Sequence, residues 1–205
     1  MAGLSSILVI ACGALAREIV ALKRANRWEA MTVQCLPADL HNTPHKIPDA
    51  VRDKITSART KFAKIFVAYG DCGTGGQLDA LLAEEGVERI PGAHCYEFFA
   101  GTHQFTALAE AEPGTFYLTD FLARHFDRLV YRGLGLDRHP ELAPMYFGNY
   151  RRLVYLAQTR NPDLLADAVE AARRLGLTFE YRFTGYGNLD KVLTNVNREA
   201  RTWQS

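Results

Sequence analysis

The sequence predicts an α/β protein, a mostly parallel sheet with helices on both faces in a Rossmann-like three-layer sandwich. Two observations carry this. Strand-length apolar runs alternate with segments of helical spacing along the chain. The first of the runs, "SILVIAC", is continuous rather than alternating. That is the mark of a parallel strand buried on both faces. The chain has 205 residues, 48% of them apolar. That is enough for a core without disulfide staples, and one α/β domain over residues 1–205 is expected, looser from about residue 113.

The elements follow in order. "SILVIAC" is the first strand, and "GALAREIVALKRAN" the first helix, with Leu15, Ile19 and Leu22 on one face. "MTVQCL" is the second strand. "PADLHNTPHKI" is a loop broken by prolines, and "PDAVRDKITSARTKF" a helix. "AKIFVAY" is the third strand; "GGQLDALLAEEG" is a helix closed by Gly86. "ERIPG" is a short fourth strand and "CYEFFAGTHQFTALAEA" one helix. Beyond Pro113, "TFYLT" is a short strand and "DFLARHFDRLVYRGL" a helix. Residues 132–149 form the longest irregular stretch. "RLVYLAQT" is a strand. The next helix has Asn161 at its N-cap, Pro162 at N1 and Gly176 at its end. "LTFEYRF" alternates as a strand with one wet face, and "YGNLDKVLTNVNREA" is the last helix.

Charge and composition narrow the function classes. The net charge is +1, from 24 basic and 23 acidic residues, which argues against a nucleic-acid surface or a polybasic membrane face. No apolar run is long enough to span a bilayer, and the opening residues lack the basic region of a secretory signal. The expected compartment is the cytoplasm, where the four cysteines are not structural disulfides.

Those cysteines fall in a pattern. Cys12 ends the first strand and Cys35 lies near the end of the second. Cys72 and Cys95 lie just past the third and fourth. In parallel α/β sheets, ligands bind outside the carboxyl ends of the strands. All four thiols are therefore expected at one ligand-binding edge, with His41, His45 and His94 on the same loops. Cys12, Cys72 and Cys95 each precede an expected helix, whose N-terminus would favour thiolate. No local C-x-x-C pair occurs, so a metal site would be assembled from separate strand ends. Three thiolates and an imidazole suit zinc; three thiolates with an open position suit an iron–sulfur cluster. The plain alternative is that buried cysteines act as small hydrophobes.

"GDCGTGG" is not a Walker A loop, because the Gly-Lys-Ser/Thr ending is missing. Gly73, Gly75 and Gly76 would still admit an anion at a helix start, or serve only as a tight turn. Arg17 and Glu18 read as a surface pair, and Glu97 as a helix-dipole partner.

The blocks "CGALAREI" from Cys12, "LHNTP" from Leu40, "YGDCGTG" from Tyr69, "AHCYEFFAG" from Ala93 and "PGTFYLT" from Pro113 resemble a known family. It is an uncharacterised prokaryotic domain-of-unknown-function family of methanogens and anaerobic or methylotrophic bacteria. The resemblance covers about residues 6 to 193. Cys12, His41, Cys72 and Cys95 match family positions, and Cys35 does not. His94 and Cys95 are adjacent here, where many members carry a residue between them. Members often accompany corrinoid methyl-transfer genes, which implies one-carbon or cofactor metabolism.

The expected function is soft-metal binding, zinc or iron–sulfur, by Cys12, Cys72, Cys95 and His41. His94, Cys35 and His45 form a second tier, and the glycines at 73, 75 and 76 a ligand loop. Such a protein would carry out metal-assisted thiol, methyl or group transfer on a small-molecule or cofactor ligand, with a methyltransferase or corrinoid protein as a possible partner. The alternatives are a non-catalytic carrier or maturation factor for a metal or corrinoid cofactor, and metal-free catalysis by Cys72 with His41 as base.

Overall fold

The computed structural model of the protein describes residues 6–202, with side chains through 199. Residues 1–5, the start of the stretch read as strand and helix rather than a secretory signal, lie outside them. The α/β class holds, with all-parallel pairing flanked by helices. The strands do not form one sheet, however. They divide between two sheets, and the chain divides into two compact units, residues 6–98 with 188–202, and residues 99–187.

In the first unit, β1 (Ile7–Cys12) lies between β2 (Met31–Leu36) and β3 (Lys64–Ala68), and β4 (Glu88–Arg89) flanks β3. Ile7 to Ala11 are wholly buried, as a central parallel strand requires. α1 (Ala16–Ala25) leads to β2, and α2 (Ile47–Ala58) crosses back to β3. α3 (Gln77–Glu85) leads to β4 and ends at Gly86, whose φ of +62° makes the left-handed cap. The chain thus leaves β1 toward β2, then returns to β3 on the other side. That reversal puts the topological switch point between the carboxyl ends of β1 and β3, where doubly wound folds place ligands.

The expected helix from Cys95 to Ala111 is two, α4 (Cys95–Ala100) and α5 (Thr102–Ala111). Gly101, at φ +79°, breaks it, because that conformation cannot continue a right-handed helix. In the second unit, β6 (Arg152–Ala157) lies between β5 (Thr115–Leu118) and β7 (Thr178–Phe183). α6 (Asp120–Arg124) runs into a π-turn at Asp127–Tyr131, and α7 (Ala143–Phe147) interrupts the stretch read as irregular. α8 (Pro162–Leu175) begins as expected: Asn161 Oδ1 accepts from the amides of Asp163 and Leu164. α9 (Gly187–Thr202) returns to the first unit. Among the described residues, no helix is long and apolar enough to cross a membrane.

Candidate functional site

The site is a knot of four loops at the carboxyl edge of the first sheet. Parallel register sets Cys12 beside Leu36 and Ala11 beside Cys35, so β1 and β2 end level. Gly13 lets them close. A Cβ there would stand 2.9 Å from the Leu36 carbonyl oxygen and 3.3 Å from the Ala38 nitrogen. Gly70 does the same past β3, where a Cβ would lie 3.0 Å from the Ala93 oxygen and 3.1 Å from the His94 nitrogen. Through that gap Asp71 N–H donates to Gly92 O at 3.1 Å and Cys72 N–H to Ala93 O at 2.8 Å. Arg89 fastens the same segment: its guanidinium donates to Ile90 O and Gly92 O and pairs with Asp79 at 2.6 Å. Glu97 Oε2 accepts from Ala93 N–H at 2.9 Å, so it closes the start of α4 rather than merely meeting its dipole. The turn of Pro44 packs on Gly73, which brings in the His41 loop, two 3-10 turns at Ala38–Asn42 and Pro44–Lys46.

Cys12, Cys72 and Cys95 are brought within electrostatic reach of one another. Cys12 and Cys72 are buried. Cys95 is half-buried as a residue, with its sulfur enclosed. The buried Tyr69 hydroxyl lies near the Cys12 sulfur and, among the described residues, has no hydrogen-bond partner. The backbone amides of Gly70 and Cys95 lie near the Cys72 sulfur and favour its anion. Cys72 adopts φ +50°, an uncommon conformation for a residue with a Cβ.

The expected depression of thiol pKa does not occur. Burial pushes the Cys12 thiol up, against the Ala14 amide that favours its anion. Burial, then the neighbouring Cys12, pushes Cys72 up to about 12. Burial, then Cys72 and Cys12, holds Cys95 well above the usual thiol range. Desolvation outweighs the backbone dipoles here. The helix starts also differ from the expectation: α3 begins at Gln77, five residues past Cys72, and α4 is a short helix.

The second-tier residues separate. Cys35 is exposed, though still coupled to Cys12. His45 is exposed. His94 Nδ1 is sealed from solvent and has no hydrogen-bond partner among the described residues. His41 lies at the surface; crowding by protein, then the nearby His94, lowers its pKa below the ordinary imidazole value. Glu18, read as half of a surface pair, is buried while Arg17 is exposed.

The glycine loop holds an anion of its own. Asp71 Oδ1 accepts from Gly76 N–H at 2.8 Å and Thr74 Oγ1 at 2.7 Å, and Oδ2 accepts from the Gly73 and Gly75 amides, both at 3.2 Å. The amides that would cradle a phosphate are engaged by this carboxylate. Among the described residues, no three His, Cys, Asp or Glu side chains stand close enough to hold a metal ion as they are. Sequence reasoning missed Tyr69, Gly70 and Arg89 as builders of the site. Tyr69 and Gly70 stand inside the "YGDC" block; Arg89 had no signal.

The family model described as "Protein of unknown function (DUF1638)" matches residues 35–193. No curated protein matches, and no solved structure does. The match takes in His41, Cys72 and Cys95 and begins after Cys12.

Proposed function

The chain belongs to the DUF1638 family of proteins of unknown function, and we propose that it is a soft-metal protein whose Cys12, Cys72 and Cys95 bind zinc or an iron–sulfur cluster. One observation carries the reading. Three thiols from three separate strand ends stand within electrostatic reach of one another at the carboxyl edge of a parallel sheet. The donor chemistry fits: thiolates select soft cations, and His41 or His94 supplies an imidazole. Among the described residues no three such side chains stand close enough to hold an ion, so this reading requires the loops to move inward on binding.

The raised thiol pKa values favour this reading over metal-free catalysis by Cys72. A thiol held near 12 has almost no nucleophilic anion at neutral pH. A bound metal supplies the charge that ionises the thiols and lowers the pKa of a bound thiol or water. On this reading the protein works in the cytoplasm, in one-carbon or cofactor metabolism, as a metal-assisted thiol, methyl or group-transfer enzyme. Its ligand is a small molecule or cofactor, and its partner a methyltransferase or corrinoid protein. The alternative is a carrier or maturation factor for such a cofactor, distinguished by retention of ligand without turnover.

The test is elemental analysis and an absorption spectrum of protein purified or reconstituted anaerobically. Wild type should hold metal. Cys12→Ser, Cys72→Ser and Cys95→Ser should each lose it, and Cys35→Ser should keep it. A wild type that takes up neither zinc nor iron sinks the proposal.

A further inference from the structure

The second sheet ends in a strand whose outer edge is unpaired among the described residues. β7 pairs only with β6 among the described residues. Thr178 N–H donates to Arg151 O and Thr184 N–H to Ala157 O. The even-numbered residues of the strand therefore face β6. Backbone direction alternates along a strand, so the N–H and C=O groups of Phe179, Tyr181 and Phe183 point to the unpaired edge. Tyr181 is 41% exposed and Phe183 46%. A free edge with exposed aromatics is a template for another strand.

The sequence along that edge is Phe179-Glu180-Tyr181-Arg182-Phe183. It reads aromatic, acid, aromatic, base, aromatic, and Tyr181 is its centre. An antiparallel copy laid about a twofold axis at Tyr181 sets Tyr181 against Tyr181, Phe179 against Phe183, and Glu180 against Arg182. Each pairing has its mirror across the axis, as an isologous interface demands. The parity is right as well. The outward-facing residues would form the hydrogen-bonded pairs. Glu180 and Arg182 would fall at the closer, non-bonded positions, where opposite charges across strands stabilise. Within one chain Glu180 already draws Arg152 and Arg182, at 3.1 and 2.6 Å, so its carboxylate is oriented before a partner arrives. A shift of one or two residues in either direction sets Glu180 or Arg182 against an aromatic or a like charge.

We propose that β7 is a homodimer interface, in which the β7 strands of two chains pair antiparallel about Tyr181 and join their second sheets into one. This goes beyond the metal reading and does not depend on it. A strand edge this short is a small interface, so the dimer is reversible, with a dissociation constant of roughly micromolar order.

Sedimentation velocity over a dilution series tests it with the full chain. Wild type should sediment as a concentration-dependent dimer. Tyr181→Pro removes an outward N–H that β6 does not use, and proline is tolerated on strand edges. It should raise the dissociation constant at least about tenfold while circular dichroism stays unchanged. Arg182→Glu alone and Glu180→Arg alone should each be monomeric, because each sets like charges across the axis. An equimolar mixture of the two should dimerise again. A wild type that stays monomeric at every concentration overturns the proposal. So does a dimer that Tyr181→Pro leaves intact, or a mixture of the two charge variants that fails to associate.

Discussion

Cys72 donates its amide hydrogen to the Ala93 carbonyl at 2.8 Å, and only the missing side chain of Gly70 allows it. The backbone atoms of Ala93 and His94 stand where a Gly70 Cβ would go. Backbone cannot swing aside as a side chain can, so Gly70→Ala should destabilise by about 1–3 kcal/mol. Gly75 makes the control. Its φ of +62° strains an alanine, but nothing lies within 4 Å of a Cβ there, so Gly75→Ala should cost about 1 kcal/mol. Urea unfolding of the two variants gives the comparison. Equal midpoints would mean that the two loops are not held by contact at Gly70.

Asp71 occupies the place of a bound anion, and its removal should expose one. Three loop amides and the Thr74 hydroxyl donate to it, and these bonds, Thr74 first, lower its pKa. Folded Asp71 therefore binds its proton less readily than unfolded Asp71. Its stabilisation is present above the ordinary aspartate pKa of about 3.9 and fades as the pH falls through the lowered native value. Wild type should exceed Asp71→Ala in stability at pH 7, and the gap should shrink below about pH 4. Phosphate should raise the melting temperature of Asp71→Ala more than that of wild type, since it refills the emptied nest. An equal response in both proteins would refute the internal-anion account.

Strand after strand was legible in the sequence because buried parallel strands are continuous apolar runs, as "ILVIAC" and "RLVYLA" are. That Cys12 ends β1, and that Cys72 and Cys95 follow β3 and β4, was legible too, since the apolar runs mark where each strand stops. The split into two sheets was not. Alternation of strands and helices is the same for one sheet or two, and nothing in "ERIPG" announces that β4 ends after Arg89. The sign of the thiol shifts was also hidden. Local sequence indicates a nearby helix start, whereas desolvation depends on what packs above the sulfur. Tyr69 and the loop at 92–95 come from different strands. The grip of Asp71 on its own loop has a local signal, an aspartate leading a glycine-rich turn.

Burial of the thiols should appear as alkaline instability in the metal-free protein. A thiol whose folded pKa is raised contributes stability below its unfolded pKa, and loses it as the pH climbs through the folded value. For Cys72 the window runs from about 8.5, the ordinary thiol value, up to about 12. Wild-type stability should decline across that range, and Cys72→Ala should decline less steeply. Thiol titration of the native protein near pH 8 should modify exposed Cys35 first, leaving Cys12, Cys72 and Cys95 slow until denaturant is added. Rapid modification of several thiols in the native state would contradict the burial argument.

The second unit has a buried acid whose partners come from the strand beside it. Asp120 is 2% exposed. Its Oδ1 accepts from the Tyr155 hydroxyl at 2.7 Å and Gln158 N–H at 2.9 Å, and Oδ2 from the Thr159 hydroxyl. The Asp120 amide in turn donates to Gln158 Oε1 at 2.7 Å. The network ties the start of α6 to the end of β6. Asp120→Ala would strand the Tyr155 hydroxyl and the Gln158 amide in a dry interior, at about 1–3 kcal/mol for each group left unmet. Tyr155→Phe removes one donor but leaves the carboxylate two others, so its cost should be nearer 1 kcal/mol. Thermal unfolding should therefore rank Asp120→Ala well below Tyr155→Phe, with wild type highest. Hydrogen exchange at the Gln158 amide gives the local reading: it should accelerate strongly in Asp120→Ala and only slightly in Tyr155→Phe. Matching exchange rates in the two variants would mean that the carboxylate does not organise this junction.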